Sequence, residues 1–416
     1  MTNRGTGMTS TANPADERTA RIPEFPMARA AKCPFDPPPA LRDEQREGPL
    51  RKVRLWDGST PWLVTRYSEQ RALLGDARVS SEVTRPGFPN QAPVKSGSTG
   101  LSFITMDDPE HSRQRRMVTA PFAIKRVDAL RPAVQKIVDD LIDTMLAGPN
   151  PVDLVEAFAL PVPSLVICEL LGVPYADHDF FQSNSRVLIT RDVDPEERWG
   201  AMKRLTDYLD ELLGEKIAHP ADDLLSGLVP RIETGELTRN GAAQMGVLLL
   251  LAGHETTANM IALGTLALLE HPDQLALLRE TDDPKLVASA VEELLRYLNI
   301  THGGRRRLAL EDIEISGETI RAGEGIIVPN EIGNRDPEVF ADPDRLDLRR
   351  DARRHVAFGF GVHQCLGQPL ARMELQVVYS TLYRRIPTLR LATGLEKIPF
   401  KHDGSVYGVY ELPVAW

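Results

Sequence analysis

Apolar residues recur at i, i+3, i+4 and i+7 through residues 127–147, the spacing of one face of a helix. From residue 109 to about 271 nearly the whole pattern is helical. A long helix is expected to start at Thr238, a good N-cap type, and to run to about Leu269. Ordinary helices have about 10–14 residues. This one is apolar on most sides in its middle, which places it across the core. Further helices are expected over 286–298 and 369–383, with strand-like stretches at 307–315 and 319–328. Residues 52–56 and 61–65 alternate like a hairpin around Asp57 and Gly58.

Proline and glycine cluster in 34–39, an entry loop, and in 84–100, a loop long enough to be functional or disordered. Residues 1–21 are polar, lack the apolar stretch of a signal peptide, and are expected to be a disordered tail. Neither a repeat nor a Ser/Gly linker divides the rest, so 22–416 is expected to form a single domain. The most apolar run, 246–253, stops at His254 and Glu255, far short of the ~20 residues a membrane span needs. The reading is a cytoplasmic protein with no membrane partner.

The chain has 416 residues, with 49 Lys plus Arg against 59 Asp plus Glu and a net charge of −10. That balance argues against nucleic acid as a partner. Its three cysteines, Cys33, Cys168 and Cys365, form no C-x-x-C pair and are odd in number, which disfavours a disulfide framework or a structural zinc site. Cys168 lies in an apolar run and reads as a core thiol. Cys33 lies in a loop and carries no assigned role.

Cys365 is different. It lies in Phe358-Gly359-Phe360-Gly361-Val362-His363-Gln364-Cys365-Leu366-Gly367, just before a helix. Two glycines permit a tight turn that leaves backbone N–H groups around the sulfur, and a helix N-terminus favours a thiolate. Gly367 would let that helix approach a flat ligand closely. A lone G-x-G would be a turn with an incidental thiol; this many residue types at fixed spacing is more. The loop resembles the haem loop of the cytochrome P-450 superfamily, F-G-x-G-x-H-x-C-x-G. The resemblance makes Cys365 the metal ligand, an axial thiolate to haem iron, with Phe358, Gly359, Gly367 and His363 in the cofactor site.

Ala252-Gly253-His254-Glu255-Thr256-Thr257 lies midway along the long helix. An acid beside an alcohol in an apolar helix interior costs free energy unless both are hydrogen-bonded, and such local violations mark functional sites. Alone, the segment would read as a kink with an exposed carboxylate. It matches the family's A-G-x-[DE]-T oxygen-binding segment. The resemblance then makes Ala252 and Gly253 part of an oxygen pocket, Thr256 a donor to bound dioxygen, and Glu255 a proton relay from solvent. Glu293 and Arg296 match the family's E-x-x-R, a buried structural pair behind the haem, with Arg345 a candidate third member. His111 and Arg115 share a helical face and, with Arg307 and His363, match positions that hold the haem propionates. Arg305 and Arg306 adjoin Arg307.

The likeness extends from about Pro23 to Trp416 and is strongest to the Streptomyces-type subgroup of actinobacterial enzymes. It implies a mostly α fold with a small β-rich lobe, a triangular prism around a buried haem b. The implied activity is hydroxylation of a lipophilic small molecule such as a macrolide, statin-like compound or secosteroid. Electrons would pass from NAD(P)H through ferredoxin reductase to a ferredoxin docked on the proximal face, where Arg113, Arg116, Arg353, Arg354 and Arg372 are expected to form a basic patch. Substrate contacts are expected in 84–101, 180–190, 250–256, 300–304 and 405–408. A nitric oxide reductase or peroxygenase of the same fold, or a non-catalytic haem gas sensor, is the alternative. Neither the first two nor a sensor requires the acid–alcohol pair that Glu255 and Thr256 supply.

Overall fold

A computed structural model describes residues 22–30, 33–90, 102–189, 193–402 and 406–416. The N-terminal tail, positions 91–101 of the long loop, Thr190 and Ser405 lie outside the described residues. The N-terminal part comprises α1 (Pro39–Glu47), β1 (Leu50–Lys52), β2 (Trp62–Val64), α2 (Tyr67–Leu74) and β3 (Val79–Ser80). A helical run follows: α3 (Glu110–Thr119), α4 (Ile124–Ala147), the short β4 (Val152–Asp153), α5 (Pro161–Leu171), α6 (His178–Ile189), α7 (Pro195–Ala218), α8 (Leu224–Glu233), α9 (Arg239–Glu270), α10 (Pro272–Glu280) and α11 (Pro284–Tyr297). Then come β5 (Arg305–Ala309), β6 (Ile313–Ile315), β7 (Glu318–Ile320), β8 (Gly325–Val328), α12 (Asn330–Gly333), α13 (Gln368–Arg385), β9 (Arg390–Leu391) and β10 (Pro413–Ala415).

The mostly α architecture with a small β-rich lobe agrees with the sequence. The expected hairpin forms, with Leu50 opposite Val64 and Lys52 opposite Trp62. It joins a five-stranded sheet ordered β1-β2-β8-β5-β3, in which β2 and β8 run parallel. The two long strands expected over 307–315 and 319–328 are each broken in two. Asp312 is the reason at one corner: its carboxylate accepts from the Ala322 amide and from Arg321, which folds the chain out of the ladder. The left-handed backbone at Ser316 and Gly317 makes the tight turn between β6 and β7.

Thr238 caps α9 as expected, its Oγ accepting from the Gly241 amide at 3.0 Å. The helix is long and apolar enough to span a membrane by length and composition, which the short-run argument did not allow for. Most of it, however, is buried inside the fold, where it packs against α5, α7 and α13. Those helices and α4 enclose the main core, while the β-rich lobe has two smaller cores of its own.

Glu293 and Arg296 on α11 are both fully buried. Arg296 donates from Nε and Nη2 to the two carboxylate oxygens at 2.7 and 2.8 Å. Its Nη1 reaches the Asn334 and Pro343 carbonyls at 2.9 and 2.8 Å. The third member is Arg350, whose Nε donates to Glu293 Oε1 at 3.1 Å. Arg345 contributes only its carbonyl, because a second buried guanidinium needs a carboxylate and Arg350 already has it.

Glu374 on α13 is buried with Oε2 unpartnered, and burial lifts its carboxyl from an ordinary value of 4.5 to about 8. The folded chain therefore holds a proton there that the unfolded chain has released. Stability from this group is intact below pH 4.5 and is lost as pH rises toward 8. In thermal melts, Glu374→Gln should match the parent near pH 5 and become progressively more stable than it toward pH 8. A melting difference that does not change with pH would show that Glu374 is not protonated in the fold.

Candidate active site

The cysteine loop is shaped by backbone strain that only glycine tolerates. Gly359 and Gly361 have φ of 74° and 75°. A Cβ on Gly361 would lie 2.1 Å from the Leu74 carbonyl oxygen. The turn closes with the Cys365 amide donating to the Phe358 carbonyl at 2.8 Å. Burial pushes the Cys365 thiol up, opposed by the nearby guanidinium of Arg305, the Gly367 amide and the charges of Arg115 and Arg372. Of the other cysteines, Cys33 is exposed and Cys168 is buried, its thiol pushed up to about 12 by burial.

The loop hangs from the α11 network. Asn334, whose carbonyl takes Arg296, accepts from the Val356 amide through Oδ1 at 2.7 Å. Asn330 donates to the Val356 carbonyl at 2.6 Å. Phe358 carries the Arg372 guanidinium over its ring at 4.6 Å.

His111, Arg115, Arg307 and His363 come together as the sequence suggested. The rings of His111 and His363 are 4.1 Å apart between centroids, and Arg115 donates to the Gln364 carbonyl at 2.5 Å. His363 is driven down to about 3 by burial, with the charges of Arg307, His111 and Arg115 adding to it and Asp107 opposing. Arg307 falls to about 10 through burial and the neighbouring Arg305 and Arg306. His111 Nε2 is buried without a partner. Crowded guanidinium groups beside an unpartnered imidazole nitrogen fit an anion. The three consecutive arginines separate by strand alternation: Arg305 and Arg307 share a face, while Arg306 lies over the ring of Phe88.

On α9, Leu250 and His254 are buried, whereas Ala252 is exposed and Gly253 and Thr256 are half-buried. These three therefore form an accessible stripe in the middle of a largely buried helix. The Thr256 hydroxyl donates to the Ala252 carbonyl at 2.7 Å. Glu255 points elsewhere. Its Oε1 accepts from Asn259 at 2.7 Å and from Lys401 at 2.8 Å, and its Oε2 is buried with no partner. Sequence reasoning missed both partners. Asn259 stands one helical turn after Glu255, a readable i,i+4 pair; Lys401, 146 residues away, left no local signal.

The basic patch is weaker than expected. Arg113 pairs with Glu110 at 2.6 Å, Arg353 with Asp351 at 2.8 Å and Arg372 with Glu292 at 2.6 Å. Arg354 donates to the Val339 carbonyl, and Arg116 is exposed. Acids of the same chain thus offset three of the five charges.

Gly367 has an ordinary φ of −77°, and a Cβ there would meet nothing closer than Phe122 Cε1 at 3.9 Å. The protein itself does not require glycine at this position; a group lying against the loop would. In the chain free of any bound group, Gly367→Ala should unfold at the parent's temperature. Gly361→Ala should lose about 2–3 kcal/mol. Equal losses in denaturant titrations would remove the distinction.

Comparison with known proteins gives a consistent answer. Residues 51–387 match the model of the family Cytochrome P450. Cytochrome P450 GfsF of Streptomyces halstedii is 57% identical over 415 residues, 99% of this chain and 99% of GfsF. Its crystal structure superposes with a TM-score of 0.90, at 58% identity, over 95% of this chain and 100% of that one. Vitamin D3 dihydroxylase of Streptomyces griseolus is 47% identical over 415 residues, 98% of this chain and 100% of that protein. The mycinamicin VIII C21 methyl hydroxylase MycCI of Micromonospora griseorubida, a structure with mycinamicin VIII bound, superposes with a TM-score of 0.87 at 42% identity, over 95% and 100% of the two chains. A cysteine held by a left-handed glycine turn, an acid–alcohol pair on a buried helix and likeness over nearly the full length agree: the chain belongs to the cytochrome P450 family and is a monooxygenase.

Proposed function

We propose that residues 22–416 act as one cytoplasmic domain that hydroxylates a lipophilic natural product, of the macrolide or secosteroid kind, with electrons from NAD(P)H delivered by a ferredoxin. The net reaction takes the substrate, dioxygen, two electrons and two protons to the alcohol and water. The observation that carries the reading is the pair on α9. Thr256 presents a hydroxyl on the accessible stripe, and the adjacent Glu255 keeps one buried carboxylate oxygen with no partner.

The family's haem fits the residues present. The room beside Gly367 suits a flat group, and the unpartnered His111 Nε2 among clustered cations suits its carboxylates. Cys365 would hold the iron, and His111, Arg115, Arg307 and His363 would hold the propionates. When bound, haem with a thiolate ligand supplies the activation of dioxygen.

The chain's own groups do the rest. Thr256, whose hydroxyl rests on the Ala252 carbonyl, turns its proton toward the pocket when an acceptor arrives there, and Glu255 replaces that proton through Oε2. Ala252 and Gly253 keep the stripe narrow enough for a small molecule to approach. The apolar residues at 250 and 251 restrict water, favouring proton delivery by the relay over leakage. Substrate specificity is assigned to 84–101, 180–190, 300–304 and 405–408, of which 91–101, Thr190 and Ser405 fall outside the described residues. The names of the vitamin D3 dihydroxylase and the mycinamicin hydroxylase support bulky, largely apolar substrates. Val362, 58% exposed in the cysteine loop, gives the ferredoxin face an apolar centre within its partly neutralised rim of arginines.

Two sets of variants test this. Cys365→Ser should abolish the thiolate-type carbon monoxide difference spectrum of the reduced protein, while Cys33→Ser and Cys168→Ala keep it. A surviving spectrum in Cys365→Ser would refute the ligand. Thr256→Ala should keep haem and fold, since alanine favours helix, yet turn most NADPH oxidation into free hydrogen peroxide. Glu255→Gln should mainly slow turnover, by about a hundredfold. Unchanged product per NADPH in Thr256→Ala would place the proton path elsewhere.

A further inference from the structure

The segment after β9 returns across α9 and touches the relay acid. Lys401 Nζ lies 2.8 Å from Glu255 Oε1, with the two side chains only 14% and 6% exposed. Asn259 donates to the same Oε1 and also to the Glu255 carbonyl. The contact needs a close approach of two segments of the chain. A Cβ on Gly408 would fall 1.7 Å from Asn259 Oδ1, and the Lys401 amide donates to the Gly408 carbonyl at 2.9 Å. Phe400 bridges Val409, and Tyr407 donates from its amide to Ile300 at 2.7 Å.

A buried ion pair is ordinarily a structural device, and such a pair is built to satisfy every lone pair it can. Glu293 in the same protein shows that form, with hydrogen bonds on both oxygens. Glu255 does not. Both of its side-chain partners converge on Oε1, and Oε2 is left buried and bare. Its neighbours offer no substitute. His254 is buried, and burial lowers its pKa, so it is neutral near pH 7. Arg186 from α6 pairs with Glu156 at 3.6 Å. Tyr410 lies with its ring 5.6 Å from the Lys401 ammonium.

We propose that Lys401 is the positioning residue of the proton relay: its ammonium anchors Oε1 of Glu255, so that Oε2 is the oxygen that takes up and passes on the proton. The proposal rests on the reading of Glu255 as the relay acid. It also makes the segment that carries Lys401, tied to the 300–301 loop through Tyr407, part of the proton machinery as well as a wall of the substrate side.

The test uses the haem-loaded protein with a surrogate ferredoxin and reductase and an alkoxycoumarin as probe substrate. Lys401→Gln should lower kcat roughly tenfold, less than loss of the acid itself, with KM unchanged and a larger solvent deuterium isotope effect. Lys401→Arg should restore both. Infrared difference spectra of Lys401→Gln against the parent at neutral pH should show one added protonated carboxyl band, beyond that of Glu374, because an unpaired buried carboxylate takes a proton. The added band should be missing from the double variant with Glu255→Gln. If Lys401→Gln unfolds, Lys401→Met, which keeps the apolar stem, is read by the same measurements. Parent-like kcat and isotope effect in the Lys401 variants, with Glu255→Gln slow, would overturn the positioning role and leave the relay standing. Parent-like turnover in Glu255→Gln would instead refute the relay itself.

Discussion

The buried pair of Glu293 and Arg296 is the constraint from which the reactive end of the molecule is hung. Two charges without solvent are costly, and they persist here because both carboxylate oxygens and all three guanidinium nitrogens are bonded. Those bonds fix the carbonyls of Asn334, Pro343 and Arg345, none of which has regular secondary structure to hold it. Asn334 in turn fixes Val356, and from Val356 the chain enters the left-handed turn that presents Cys365. The loop is further tied by Arg115 of α3 to the Gln364 carbonyl and by Arg305 of β5 to the Ala357 carbonyl, so a cysteine outside any helix or strand is still held from several sides.

The opposite side of the site is held by different physics. Helix α9 is held chiefly by apolar neighbours, which enclose it along most of its length, with Tyr379 and Tyr383 of α13 adding hydrogen bonds to Met260 and Thr265. That enclosure is what gives Glu255 and Thr256 their character. In water an acid next to an alcohol is unremarkable chemistry, but inside a core each unsatisfied atom is conspicuous. Separate polar contacts thus hold the two sides, the Glu293 network for the cysteine loop and Lys401 with Asn259 for the relay acid on its apolar helix, so substitutions that disturb one need not disturb the other.

Much of this was legible in the chain because the informative residues are neighbours in sequence. The glycines around Cys365, the run at 252–257 and the i,i+3 pair of Glu293 and Arg296 each declare themselves within ten residues. The misread features depend on partners far away or on a neighbour overlooked. Arg350 rather than Arg345 completes the pair, which only the path of the 334–350 segment decides. Lys401 reaches Glu255 across 146 positions, beyond any periodicity argument. The arginine patch is weak for a different reason. Glu110 three residues before Arg113, and Asp351 two before Arg353, were in plain view and offset the charge locally. The strands of the β lobe were drawn too long because Asp312 bends the chain through its side chain, which alternation of apolar residues does not report.

The cluster of His111, Arg115, Arg307 and His363 has a consequence for the life of the protein before it ever meets a substrate. Burial beside Arg115 and Arg307 drives the proton off His363, and the crowding of Arg307 with Arg305 and Arg306, with Asp107 as the opposing carboxylate, works against folding. An anion that binds there removes that opposition and stabilises the native state in proportion to its affinity and supply. The folded population would then follow the availability of haem in the cell, so that a shortage lowers the amount of protein as well as its loading. Newly made chains without cofactor would be the preferred targets of proteolysis, and the anion-binding pocket would serve as a quality check at the step of assembly.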